Sequence, residues 1–211
     1  MALDRESVVR TGLAVLNDVG LDALTLRKIA SELNVQPPAL YWHFKSKQDL
    51  IDEMATTLMR DGMIDIPPDT GWRELASLYG NGLRQMLLRY RDGAKMFAGT
   101  LLRDPAVYQQ QEAAFRIFTT DGFSVADAAT ALNTVYCYTI GFLIEEQAVY
   151  PHPGERSPDY DIAKRTERMA DLDVPLSAEA GKTLFDDYDA RYQRGLDAIL
   201  VGIASWLRVA E

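Results

Sequence analysis

The sequence predicts an all-α protein: a small N-terminal helix-turn-helix domain followed by a larger helical domain. Three observations lead there. Apolar residues recur at helical spacing along nearly the whole chain, from Val9, Leu13 and Leu16 to Leu196, Leu200 and Ile203, the period of buried helix faces. Proline and glycine clusters interrupt that pattern at few places, chiefly Asp65-Ile66-Pro67-Pro68-Asp69-Thr70 and residues 151–158. Residues 25–47, TLRKIASELNVQPPALYWHFKSK, read as two short helices joined by a tight turn.

Asp4 opens the first helix, which runs to about Val19, and Gly20 stops it. In the second, Leu26, Ile29, Ala30 and Leu33 stand at i, i+3, i+4 and i+7 behind Thr25, which suits an N-cap. Asn34 breaks the period and Val35 pins the turn to the core. The third helix begins near Gln36, because Pro37 and Pro38 are tolerated only in a first turn, and it extends to about Phe44. Leu40 and Phe44, four apart, hold it to the core. Pro38, Ala39, Tyr41, Trp42 and His43 are left pointing outward or sideways. Either aromatic alone reads as a core residue, but the whole run on a surface helix calls for a partner. The second helix of a helix-turn-helix finds one in the DNA major groove.

Ser46, with Asp49 three residues on, starts a fourth helix through Leu50, Met54 and Leu58 to about Met63. The break over 65–70 marks a boundary. It divides the chain into a head (1–48), a linking helix (49–64) and a C-terminal domain (65–211). In that domain helices are expected from about Trp72 to Tyr90, in a short apolar piece from Met96 to Leu102, from Pro105 to Thr119, and from a Ser124 cap to Tyr150. Pro151, Pro153, Gly154 and Pro158 define a loop expected to be mobile. Short helices over 161–171 and 177–187 and a strong one over 189–208 complete the chain. In the last, Gly195, Ala198, Gly202 and Ser205 form a small-residue stripe that lets another helix approach. Leu196, Ile199, Leu200, Ile203 and Leu207 leave it wrapped on most sides.

The 211 residues, 47% hydrophobic and 25% charged, suit an ordinary globular protein. Net charge is −9, which by itself argues against nucleic acid, but its distribution reverses the argument. Residues 1–48 hold six basic against five acidic side chains, and within 23–48 the balance is four to one. Cys137 is the single cysteine; it forbids an internal disulfide, suits a reducing cytoplasm and reads as packing. No apolar run is long enough for a membrane span or a signal peptide. An enzyme is disfavoured: there is no Gly-rich phosphate loop, no catalytic His/Asp/Ser constellation and no metal-ligand spacing.

The run Leu40-Tyr41-Trp42-His43-Phe44 with Lys47 and Leu50, preceded by Gly20, Leu24-Thr25, Arg27-Lys28, Ala30 and Leu33, resembles the signature of the tetracycline-repressor (TetR) family of bacterial transcription regulators. The resemblance implies a homodimer with DNA-reading heads and a C-terminal ligand-binding and dimerisation domain. It also implies an intersubunit bundle built from the 124–150 and last helices. Arg91-Asp92-Gly93-Ala94-Lys95, Gly99-Thr100, Gly122-Phe123-Ser124, Gly141 and Glu145-Glu146-Gln147 are similar, in order and spacing, to the C-terminal domain of the tetracycline repressors themselves.

On this basis a double-stranded, palindromic DNA operator is the expected partner. Thr25, Arg27, Lys28, Gln36, Pro37, Pro38, Ala39, Tyr41, Trp42, His43 and Lys47 are the candidate contacts. Arg27, Lys28, Tyr41, His43 and Lys47 would take phosphates and set register, and Gln36, Pro38, Ala39 and Trp42 would meet base edges. Pro37 stands where tetracycline repressors carry a base-reading glutamine. A small-molecule inducer is expected in a pocket of Met63, Tyr79, Leu83, Met96, Phe97, Thr100, Ala114, Tyr138 and Glu145. In the tetracycline repressors a magnesium-binding histidine occupies the position of Phe97, a drug-gripping histidine that of Met63, and an asparagine that of Tyr79. The pocket here is therefore apolar and partly aromatic, with no metal and no cofactor expected. His152, the other histidine, is expected to face solvent. The inducer would release the operator by shifting the spacing of two heads that meet half-sites ~34–36 Å apart. The rivals are a helical small-molecule-binding module, or a ligand-independent regulator whose C-terminal domain serves only dimerisation.

Overall fold

The computed structural model describes residues 3–63, 66–102, 104–152 and 154–208. Among them there is no strand; a lone antiparallel bridge joins His152 and Glu155. The expected Asp65 and Pro153 breakers lie outside the described residues.

Helix α1 (Arg5–Ala23) is capped by Asp4, whose carboxylate accepts from Ser7 N at 2.8 Å. Gly20, at φ +76° and ψ 172°, interrupts it where the sequence places a stop, and one further turn follows. Thr25 caps α2 (Leu26–Glu32) by accepting from Lys28 N at 3.2 Å. Asn34 then takes a left-handed conformation (φ +54°), which brings Val35 N to Ala30 O. Helix α3 (Pro37–Leu40) is shorter than expected, with only four residues. Two of its residues are prolines without an N–H, so few α-helical hydrogen bonds can form. His43 N and Phe44 N both donate to Leu40 O, closing a turn instead of continuing the helix. Ser46 caps α4 (Lys47–Asp61), accepting from Asp49 N at 3.0 Å; the helix ends at Gly62, just short of the expected Met63.

The C-terminal helices are α5 (Trp72–Leu87), α6 (Gly93–Phe97), α7 (Pro105–Thr120), α8 (Val125–Val149), α9 (Ile162–Arg168), α10 (Pro175–Leu184) and α11 (Tyr188–Ala204), with a 3-10 turn Ser205–Arg208. Several bounds differ from those the sequence suggests: α5 stops before Tyr90, the apolar piece coils over 93–97 instead of 96–102, and α10 starts at its proline. The long α8 is the axis. It packs against α5, α6, α7 and α11.

Two apolar clusters result. One fills the head with Leu16, Ile29, Leu40, Phe44 and Met54 and continues without a break into Leu83, Leu87, Met96, Phe97 and Leu143. The head core and the near half of the C-terminal core are thus one body of packed side chains, with α4 running through it. The other, farther from the head, gathers Trp72, Phe118, Phe123, Val135, Tyr192 and Leu196. A buried ion pair joins α5 to α8: the Arg84 guanidinium donates to both carboxylate oxygens of Glu146 at 2.6 and 3.0 Å, and to Asp189 at 2.6 Å. Burial alone would lower the Arg84 pKa, but these carboxylates reverse that and hold it above its ordinary value.

Candidate nucleic-acid interface and ligand cavity

The reading turn is built by two anchors and an overhang. Leu40 and Phe44 are fully buried, as their spacing requires. Between them Tyr41 is 57% and Trp42 90% exposed. An indole left that open costs hydration free energy with no return inside the chain. Thr25, Arg27, Lys28, Gln36 and Pro38 are also exposed, and Pro37, Ala39, His43 and Lys47 are half-buried. Lys47 is partly engaged already, since its Nζ donates to Leu21 O at 2.9 Å, beside the Gly20 break. Two of its three ammonium donors remain. Arg5 secures the end of the turn: its guanidinium donates to the His43 carbonyl and lies 4.4 Å from the Phe44 ring centroid.

A joint of polar contacts ties this head to the C-terminal helices. Asp92 accepts from Leu21 N at 3.0 Å, Asn17 accepts from Arg91 N at 2.8 Å, and Arg91 donates to Asp18 O at 3.1 Å. From the other side Gln147 donates to the carbonyls of Leu87 and Tyr90 and accepts from Ala94 N at 3.0 Å. The Arg91-Asp92-Gly93-Ala94 run and Gln147 therefore form one buried hinge between head and body.

Above it lies a cavity of about 240 Å³. Met59 and Gly62 close it from the end of α4. Leu75, Leu78, Tyr79, Gly82, Leu83 and Met86 line it from α5, Leu102 from the loop before α7, Val107, Gln110, Gln111 and Ala114 from α7, and Leu132 from α8, with Ile66 at the boundary. Its polar groups are the two glutamine amides and the Tyr79 phenol, whose pKa burial pushes well above its ordinary value. Among the described residues, no histidine and no carboxylate lines it.

Family models match both halves of the chain: "Bacterial regulatory proteins, tetR family" over residues 8–54, and "Tetracyclin repressor-like, C-terminal domain" over residues 66–207. The chain belongs to the TetR family. Among its relatives is the tetracycline repressor protein class C of Escherichia coli, 37% identical over 95% of this chain and 90% of the relative. A possible TetR family transcriptional regulator from Streptomyces coelicolor A3(2) has the same fold at TM-score 0.83, 35% identical over 96% of this chain and 99% of that one. A TetR variant from Acinetobacter baumannii AYE, solved in complex with minocycline, aligns at TM-score 0.74 and 30% identity over 97% and 98% of the two chains.

In this TetR-family chain the cavity takes up only part of the expected ligand set. Tyr79, Leu83 and Ala114 line it. Met63 follows the end of α4, and its neighbour Gly62 reaches the cavity instead. Met96 and Phe97 are fully buried in the core, because the short α6 is clamped between α4 and α8 and turns its apolar side to them. Thr100 spends its hydroxyl on Phe97 O at 2.7 Å, closing the turn after α6. Tyr138 lies on the side of α8 that faces α11, stacked on Tyr192 and donating to Tyr192 O at 2.9 Å. Glu145 is exposed. One residue on, about 100° around the helix, Glu146 is the buried carboxylate that meets Arg84.

Other expectations change as well. Cys137 is exposed on α8, not packed. His152 is half-buried, and its carbonyl accepts from Glu155 N at 3.1 Å. Within the chain α11 is covered on one side: Val201 is 62% exposed, and Ala198, Gly202 and Ser205 are open, while Gly195 alone of that stripe faces inward, onto Tyr138. Sequence reasoning missed the cavity residues Met59, Leu78, Met86, Leu102, Val107, Gln110, Gln111 and Leu132. Their helical register was visible, but which flank of each helix borders empty space was not.

Proposed function

We propose that this TetR-family regulator is a ligand-responsive repressor: a homodimer that grips a palindromic operator and releases it when a compact, uncharged, largely apolar molecule enters the C-terminal cavity. The observation that carries the DNA reading is the Tyr41–Trp42 overhang, exposed at the tip of a turn whose two neighbours, Leu40 and Phe44, are buried without remainder. Residues 1–48 act as the head, 49–64 as the link and 65–211 as the ligand and dimer domain. Phosphate contacts fall to Arg27, Lys28, Tyr41, His43 and the spare donors of Lys47, with Thr25 beside them. Gln36, Pro37, Pro38, Ala39 and Trp42 face the bases.

The ligand class follows from the cavity lining. Two amides and a neutral phenol offer hydrogen bonds, none of the described lining residues offers charge, and a magnesium chelate would find no hard anionic donor among them. At about 240 Å³ the space lies below the ~300–1,000 Å³ usual for drug-sized ligands, which favours a compact molecule. The exposed small residues of α8, Cys137 and Gly141, and of α11, Ala198 and Gly202, support pairing of two copies through these helices. No helix among the described residues is long and apolar enough to cross a membrane, and a cytoplasmic setting fits a regulator of transcription.

The test is binding of the purified protein to its own upstream intergenic DNA under a salt and competitor titration. Nanomolar, competitor-resistant binding with a steep salt slope supports the reading; affinity equal to that for random DNA at every salt concentration, together with no fragment enriched from the genome, refutes it. The cavity has its own test. Gly82 lines it, and a Cβ added there meets no atom within 4 Å. Gly82→Phe should fill the space and give a repressor that binds DNA yet no longer responds to the compounds that release the native protein. Normal release from Gly82→Phe would place the ligand elsewhere.

A further inference from the structure

We propose that a track of ion pairs along the outer face of α4, Arg5–Glu53–Arg60–Asp104, holds the DNA-reading turn in register with the cavity helix α7, with Arg5 as the positioning residue at the DNA end. The inference rests on the reading of head and cavity given above.

At the DNA end Arg5 forks. One guanidinium nitrogen donates to the His43 carbonyl, the other to Glu53 Oε2 at 2.8 Å, and the guanidinium plane covers the Phe44 ring. His43 and Phe44 close the turn that presents Tyr41 and Trp42, their N–H groups donating to Leu40 O, and Arg5 adds a side-chain donor to the His43 carbonyl. Glu53 and Arg60 stand seven residues apart on α4, two turns along one face, with Glu53 Oε1 4.0 Å from Arg60 Nη2. Arg60 Nε then donates to Asp104 Oδ2 at 2.9 Å. The other oxygen of Asp104 accepts from Ala106 N at 2.9 Å and caps α7, the helix that puts Val107, Gln110, Gln111 and Ala114 on the cavity. Both contacts hold the Asp104 carboxyl below its ordinary pKa, the Ala106 N–H first and Arg60 after it.

Isolated surface ion pairs contribute little to stability. These pairs differ in what they join: α1, the reading turn, α4 and the first turn of α7, with the Arg5 fork and the Arg60 Nε hydrogen bond at the two ends and the 4.0 Å Glu53–Arg60 ion pair between them. A ligand that moves the start of α7 moves Asp104, and Arg60 must then either follow, drawing on Glu53 and Arg5, or let go. Coupling through this track requires two arrangements of it, one favoured by each site.

The experiment uses the full-length protein and a duplex enriched by it from a random DNA pool, and reads amide hydrogen exchange at the first turn of α7. Saturating duplex should slow exchange at Ala106 and Val107 by roughly fivefold or more, the low end of site-to-site coupling. Asp104→Asn keeps the helix cap, because asparagine caps as well as aspartate, and removes the charge. It should still bind the duplex while the α7 response disappears. Arg5→Lys keeps the charge and loses the fork, so preference for the enriched over a scrambled duplex should fall about tenfold with the salt slope unchanged. A wild-type α7 response in Asp104→Asn, or wild-type preference in Arg5→Lys, overturns the proposal. If native protein binds the duplex and α7 does not respond, the track fails and the DNA reading stands; if no duplex is enriched, both fall.

Discussion

Trp42 concentrates the residue-scale argument. Its neighbours two positions either side are buried to the last ångström while its own indole stands 90% exposed, so the fold keeps it there at a cost. Trp42→Ala should therefore lower affinity for the specific site by about 1–3 kcal/mol while shifting stability by no more than ~0.5 kcal/mol, as surface changes do. Operator titration and chemical denaturation of the same preparation check both halves; a large loss of stability would make Trp42 a packing residue. This residue was legible in the sequence because an alternation of anchors and outward aromatics on so short a helix admits few arrangements. Glu146 was not. Glu145 and Glu146 are adjacent carboxylates, and only the rotation of α8 against α5 decides that Glu146 meets Arg84 and Glu145 meets water.

At the scale of elements, helix ends carry much of the information. Asp4, Asp104 and Asp161 cap α1, α7 and α9 and accept backbone N–H groups, from Ser7, Ala106 and Lys164 respectively. Those N–H groups are the leading cause that lowers each carboxyl below its ordinary 3.8. A group whose native pKa is depressed contributes stability above its unfolded pKa and loses it as pH falls through the native value. The caps are thus intact above about pH 4 and weaken below it. Replacing the three aspartates by asparagine should make the helical signal less steep between about pH 4 and 2, read by circular dichroism; an unchanged acid limb would argue that the caps do not titrate there. The hinge supplies a second prediction. A Cβ on Gly93 would lie 2.3 Å from the Leu87 carbonyl oxygen, which is backbone and cannot rotate away. Gly93→Ala should cost at least about 1–3 kcal/mol as overpacking, seen as a lower denaturation midpoint. The sequence marks 91–95 as a break and as a family resemblance, but its tie to Asn17, Leu21 and Gln147 spans distant parts of the chain, which periodicity does not register.

For the whole molecule the telling surface is the one left open. Along α11, Tyr192, Leu196, Leu200 and Ile203 pack inward, while Val201, Gly202 and Ala198 lie exposed beside the open face of α8. Helical spacing shows that α11 has two apolar sides. It does not show that only one is satisfied within the chain. Val201→Glu should convert a dimer to monomers by sedimentation, with helicity kept and operator affinity reduced to the non-specific level; a dimer that persists would move the interface elsewhere.

Local features follow from the chain's own chemistry: helix faces, caps, prolines at first turns, the glycine breaks, and the reading turn with its exposed aromatics. Each depends on residues within a few positions of one another, where the 3.6-residue period and backbone chemistry leave little choice. Helix packing sets which flank of each helix borders the cavity, why Met96, Phe97 and Tyr138 belong to the core, and how Arg5, Glu53, Arg60 and Asp104 come into line. These depend on the rotation and packing of helices distant in sequence, and one residue of rotation, about 100°, exchanges a buried carboxylate for an exposed one.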